Sequence, residues 1–146
     1  MPKNTPNKSN KPHKHLYPPK NYKKWSKLKS RINNQASKYQ TYREGQIYWF
    51  CLGENVGVEE DGKGDLYSRP ALIVRGFSQS LIWIIPLSHT RRRGKYYYEI
   101  KSNPSVDIAI LSQLKSLDTV RISGKLIGEI SEAELNIIKD KIKLLL

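Results

Sequence analysis

Between residues 46 and 130 the chain is a succession of short apolar runs rich in Ile, Val, Leu and aromatics. They are Gln46–Leu52, Pro70–Arg75, Leu81–Leu87, Lys95–Lys101, Asp107–Gln113 and Arg121–Ile130. Clusters of Gly, Asn, Asp and Ser separate them, so each reads as a strand closed by turns. No helical period intervenes, which rules against βαβ units and favours a compact antiparallel barrel or sandwich. The runs at 71–74 and 81–87 are nearly continuous in apolar, β-branched character, and polar groups at their ends could share a common rim. After the last run, Ser131 stands three residues before Glu134, the spacing of a capping box. Leu135, Ile138, Ile142 and Leu145 then form one helical stripe. The fold expected is mainly β (α+β), an antiparallel barrel closed by one C-terminal helix, over residues 43–146.

What precedes residue 43 differs in charge. Residues 1–43 hold ten Lys, two Arg and no acid, whereas the remaining residues are nearly balanced, within a chain of net charge +13. Residues 1–19, rich in Lys, Asn and Pro, lack the apolar surface that offsets ordering entropy and are expected to form a disordered basic tail. His13 and His15 flank Lys14 there, an arrangement more typical of a solvated tail than of a metal site. In residues 20–42 the apolar positions Tyr22, Trp25, Leu28, Ile32, Ala36 and Tyr39 define a helix with Lys23, Lys24, Lys27, Lys29, Arg31 and Lys38 on its other face. Three readings stay open for it: packing on the barrel, contact with nucleic-acid phosphates, or an anionic membrane surface.

The absences narrow the chemistry. There is no glycine-rich phosphate loop, no Cys or His set with metal spacing, and no nucleophile elbow. The one cysteine, Cys51, lies in an apolar run and reads as a small buried hydrophobe. Without a signal-peptide-like or membrane-spanning stretch, a cytoplasmic location is expected. What remains is polar groups at strand ends: Glu59, Arg69 and Ser88. RNA cleavage by the substrate's own 2′-hydroxyl needs no protein nucleophile and no metal. It needs a fixed cation on the phosphate, a hydroxyl donor and an acid–base group. Arginine suits the first task because its planar fork matches phosphate oxygens. His89 follows Ser88 and is a candidate because histidine is the ordinary side chain for proton transfer near neutral pH, but if the strand runs on past Ser88, alternation sends the two side chains to opposite faces. Arg91-Arg92-Arg93-Gly94 reads either as a solvated hairpin loop or as a phosphate-gripping one. Of Tyr96, Tyr97 and Tyr98, all able to stack a base, at least one is expected in the core.

Six short segments, in order, carry a resemblance. They are Gly45-x-Ile47-x-Trp49, Gly57-x-Glu59, Arg69-Pro70-Ala71-Leu72-Ile73-Val74, Pro86-Leu87-Ser88, the stretch 109–118 with Gln113, and 125–131 before the last helix. Together they resemble the PemK/MazF family of toxin endoribonucleases, in a branch with an N-terminal helical extension. The resemblance implies an SH3-like barrel of the type shared with CcdB gyrase poisons, a homodimer, and a cognate antitoxin as partner. It implies cofactor-free, metal-independent, sequence-selective cleavage of single-stranded RNA, with Arg69 and Glu59 catalytic and Ser88 where the family usually has Thr. Gln113 and Lys115 fall in the segment that contacts RNA, with His89 and Arg91 as further candidates for substrate binding. A non-catalytic nucleic-acid-binding barrel and a gyrase poison are the alternatives.

Overall fold

The computed structural model describes residues 17–35, 41–103 and 107–146. The expected tail, its two histidines, and the helix positions Ala36 and Tyr39 lie outside these, except that residues 17–19 are described. The elements are α1 (Tyr22–Asn33), β1 (Gln46–Cys51), β2 (Ser68–Gly76), β3 (Leu81–Ser88), β4 (Tyr97–Glu99), β5 (Ile108–Ile110), β6 (Lys115–Asp118), β7 (Ile122–Glu129) and α2 (Glu132–Lys143). The seven strands form an antiparallel sheet in the order β4-β5-β3-β2-β1-β7, with β6 also paired to β3.

The central strand β3 has two partners along one edge. Its first half, Leu81 to Ile84, pairs with β6, and its end, Leu87 and Ser88, pairs with β5. The chain crosses from β5 to β6 through a single 3₁₀ turn, Leu111–Gln113. This corrects the sequence expectation of one unbroken strand over 107–113, and it adds β6, which was not anticipated. Likewise, the strand expected over 95–101 is reduced to Tyr97–Glu99.

Continuous apolar runs follow from two-sided burial. Ile47, Leu72, Val74, Ile85 and Leu87 point to one core, which Leu135 and Ile138 of α2 cover. Their neighbours Tyr48, Phe50, Ala71, Ile73, Ile82 and Ile84 point to a second core with Leu117 of β6. Period two is preserved, but neither face is polar.

α2 begins as the sequence predicts on one side only. Ser131 Oγ accepts from the Glu134 amide at 3.2 Å, but the Glu134 carboxylate does not return to Ser131. It turns inward and accepts from Tyr98 Oη, the amides of Lys101 and Ser102, and the Ser102 hydroxyl. The amide of Ser131 donates instead to Ser102 Oγ at 3.1 Å. Four donors in one segment outcompete a single amide for the carboxylate.

α1 packs against the barrel, so of its three readings the structure realises packing, with Lys23, Lys27 and Lys29 left on the surface or partly so. Trp25 and Ile32 are buried beside Cys51 and Tyr67. Trp25 meets Tyr67 at a ring separation of 5.6 Å. Gly53, at φ +83°, permits this seat: a Cβ there would lie 2.1 Å from the indole. Burying Trp25 contributes roughly 4 kcal/mol from area alone. Cys51 is itself 5% exposed, and burial pushes its thiol up, away from the reactive thiolate. Among the described residues no helix is long and apolar enough to cross a membrane.

Candidate active site

The site forms where β2 begins and β3 ends. Ala71 pairs with Pro86, and the same register carried two residues further sets Arg69 level with Ser88. Arg69 itself is held opposite Phe50 of β1. Each of its three guanidinium nitrogens has a partner. Nε donates to the Asp61 carbonyl at 2.8 Å, Nη1 donates to the Leu87 carbonyl at 3.2 Å, and Nη2 pairs with the Glu60 carboxylate at 3.1 Å. The Arg69 and Glu60 side chains are 14% and 15% exposed. A planar group fixed in three directions presents its charge with little freedom left to lose.

The acid on Arg69 is thus Glu60. Glu59, the sequence candidate, caps its own turn, accepting from the Val56 amide at 3.3 Å. Adjacent residues in a tight loop diverge, and nothing in the run Glu59-Glu60-Asp61 tells which turns inward. Gln113 takes a place that its sequence role did not foresee. Its Oε1 accepts from the Glu60 amide at 3.3 Å and its Nε2 donates to the Val58 carbonyl at 3.1 Å. It fastens the acidic loop to the 3₁₀ turn between β5 and β6. Asn55 braces the loop from within, its side-chain amide donating to the carbonyls of Leu52 and Glu60. Gly62 backs directly onto Tyr67, where a Cβ would fall 1.5 Å from the carbonyl oxygen. Any side chain there would force this loop open.

Lys115 opens β6 and is partly buried. Burial pushes its ammonium down and Arg121 adds to this, while Glu59 and Asp61 act in the opposite sense. It therefore feels the field of the same acidic loop. Ser88 is 9% exposed, and its Oγ accepts from the Thr90 amide at 3.2 Å. His89 lies beyond the end of β3, so strand alternation no longer governs it. Its Nδ1 is 3.2 Å from the Asp107 carboxylate and its side chain is 76% exposed. Arg91 is exposed in the loop that follows. In that loop region Arg92 lies 5.8 Å over the Tyr97 ring and Lys95 5.1 Å over Tyr96. Tyr98 turns to the core.

Arg69, Glu59 and Glu60 line a cavity of about 360 Å³, with Pro18, Pro19 and Lys20 as its far wall. A larger hollow of about 510 Å³ lies between α1 and residues 118–121. Two of its charged groups are used internally: Asp118 caps the Val120 amide and Arg121 donates to the Cys51 carbonyl. Among the described residues no three His, Cys, Asp or Glu gather as metal ligands. The sequence reading missed Glu60, Asp61 and Lys20, which acquire their roles only through the path of the loop.

The mainly antiparallel barrel flanked by an N-terminal and a C-terminal helix is a fold shared with solved structures. One neighbour is MazF from Deinococcus radiodurans, at TM-score 0.58 and 17% identity, covering 73% of this chain and 96% of that one. Another is described as an endoribonuclease in complex with its cognate antitoxin from a mycobacterial species. It matches at TM-score 0.53 and 19% identity, over 71% of this chain and 93% of that one. A MazE–MazF complex from Deinococcus radiodurans matches at TM-score 0.54 and 14% identity over 73% and 96%. At these identities the likeness is one of fold. A comparison with curated proteins returned no match. The family model for the PemK-like, MazF-like toxin of type II toxin–antitoxin systems matches residues 43–146, and the chain belongs to that family.

Proposed function

We propose that this toxin is an endoribonuclease that cleaves single-stranded RNA by attack of the 2′-hydroxyl on the adjacent phosphate. The observation that carries this reading is the Arg69 guanidinium, fixed by Asp61, Leu87 and Glu60 and lining a cavity. Arg69 binds the scissile phosphate and stabilises the extra negative charge of the phosphorane. A carboxylate of the Glu59–Glu60 pair receives the 2′-hydroxyl proton, and the Ser88 hydroxyl hydrogen-bonds a phosphate oxygen. The 2′-O–P bond forms, the P–O5′ bond breaks and the 5′-oxygen takes up a proton, leaving a 2′,3′-cyclic phosphate. Every bond change uses atoms of the substrate and protons, so the reaction asks for no metal. Lys115 and Arg91 provide positive charge for flanking phosphates, His89 offers a hydrogen-bonding ring to the substrate, and Gln113 keeps the loop in place. Solved structures that carry an antitoxin support a cognate antitoxin as partner, and exposed Phe77 and Trp83, with ring centroids 5.1 Å apart, support a homodimer.

Incubation with a long single-stranded RNA in excess EDTA, beside Arg69→Ala, tests the reading. Discrete fragments ending in cyclic phosphate, reduced roughly 10²–10³-fold in the variant, are expected. A salt-sensitive gel shift without fragments would leave a binding barrel, and inhibited gyrase supercoiling without fragments would leave a gyrase poison.

A further inference from the structure

The family match begins at residue 43, yet one wall of the Arg69 cavity is built from residues 18–20. Lys20 Nζ lies 2.9 Å from the Asp61 carboxylate, 2.5 Å from the Asn55 carbonyl and 3.3 Å from the Gly57 carbonyl. Its side chain is 12% exposed. Asp61 passes this grip onward. Its carboxylate also accepts from the Asn55 amide, and its carbonyl accepts from Arg69 Nε at 2.8 Å. Tyr22 Oη adds a bond to the Asn55 carbonyl at 2.9 Å, and the ring of Tyr17 lies against Gly57. Trp25, seated on Gly53, fixes the base from which these side chains reach.

The barrel residues are therefore not the only hold on loop 54–61, which Gln113 fastens from the barrel and Lys20 from the N-terminal segment. Its outer side is an N-terminal segment, and its inner side is the guanidinium fork. We infer that Lys20 is a positioning residue for the RNA site: clamped to Asp61, Asn55 and Gly57, it holds loop 54–61 against Arg69. This rests on the endoribonuclease reading above, since the geometry it maintains is that of the phosphate-binding fork. Arg69 Nε and Nη2 both depend on this loop, through the Asp61 carbonyl and Glu60. A loop that drifts by about an ångström misorients the fork, and misplacements of that size cost up to roughly 100-fold in rate.

The full-length protein with Lys20→Gln and Lys20→Arg is the material for the test. Cleavage of an RNA oligonucleotide is measured as kcat and KM, together with amide hydrogen exchange at Asn55 and Gly62 and the melting temperature. Lys20→Gln is expected to lower kcat about tenfold or more with little change in KM, and to speed exchange in the loop without moving the melting temperature by more than a few degrees. Lys20→Arg should recover most of the rate. In an Asp61→Asn background Lys20→Gln should cost little more, because both variants break one link. An unchanged or raised kcat, or unchanged exchange, overturns the inference; a raised kcat would make the segment a cover instead. If exchange responds while even the unaltered protein cuts no RNA, the clamp stands and the nuclease reading falls.

Discussion

Glu134 and Arg69 are both well enclosed, and they are used in opposite ways. Glu134 is 6% exposed and accepts from Tyr98, Lys101 and Ser102, all within one short segment beside the start of α2. Burial by itself would raise its pKa, but these hydrogen bonds outweigh burial and hold the carboxyl below its ordinary value. Arg69 is nearly as enclosed, but its partners come from a loop and a neighbouring strand, and it forms part of a cavity wall. The first charge ties α2 to the sheet. The second is set so that an incoming anion can compete for it. Depth of burial does not separate a structural charge from a functional one; what the satisfied group faces does.

The comparison sharpens under conservative substitutions. Arg69→Lys keeps the charge but cannot reach the Asp61 carbonyl, the Leu87 carbonyl and Glu60 together. RNA cleavage is expected to fall by about 10²-fold or more, with a folded, cooperative melt by circular dichroism. An active lysine variant would show that charge alone suffices and that the fork is incidental. Glu134→Gln should do the reverse: stability lower by about 1–3 kcal/mol in urea titrations, and the cleavage rate per folded molecule unchanged. Glu134 has a depressed folded pKa, so its contribution is complete above the unfolded carboxyl value and is lost as pH falls through the folded one. The gap between the two proteins should therefore close in acid. A constant gap would mean that the carboxylate's charge is not what the network uses.

These two charges were unequally legible in the sequence. β1, β2 and β3 declared themselves because both of their faces are largely buried, and Arg69 stood out at the start of one of them. β6 did not, because Lys115-Ser116-Leu117-Asp118 offers one apolar residue, Leu117, which is enough for the second core but not for a pattern. Ser131 and Glu134 were found as a pair, yet the partner that won the carboxylate lies in a segment some thirty residues upstream. Glu60 was hidden beside Glu59, since only the turn 56–59 decides which acid reaches the guanidinium. Lys20 looked like one more lysine of a basic segment. Local periodicity fixes faces of helices and strands; it does not fix the path of a loop, and this site is half loop.

The smallest effect expected is at alkaline pH, and it tests the structural side of the comparison alone. Tyr98 donates to Glu134 at 2.8 Å; burial first, and then this carboxylate, push its phenol up to about 12. Lys141 lies 5.8 Å over the ring and does not reverse the shift. A group with a raised folded pKa contributes stability that is fully present below its unfolded value, here 10.0, and is lost as pH rises toward the folded one. Stability should thus decline between about pH 10 and 12 as tyrosinate forms against an ionised Glu134. Tyr98→Phe removes the titrating group, so it should be less stable at neutral pH by roughly 1 kcal/mol and should approach the unaltered protein in that window. Urea midpoints at pH 8, 10 and 11.5 measure the convergence. Parallel decline of the two proteins would assign the alkaline loss to other groups and leave Glu134 secured mainly by the Lys101 and Ser102 amides.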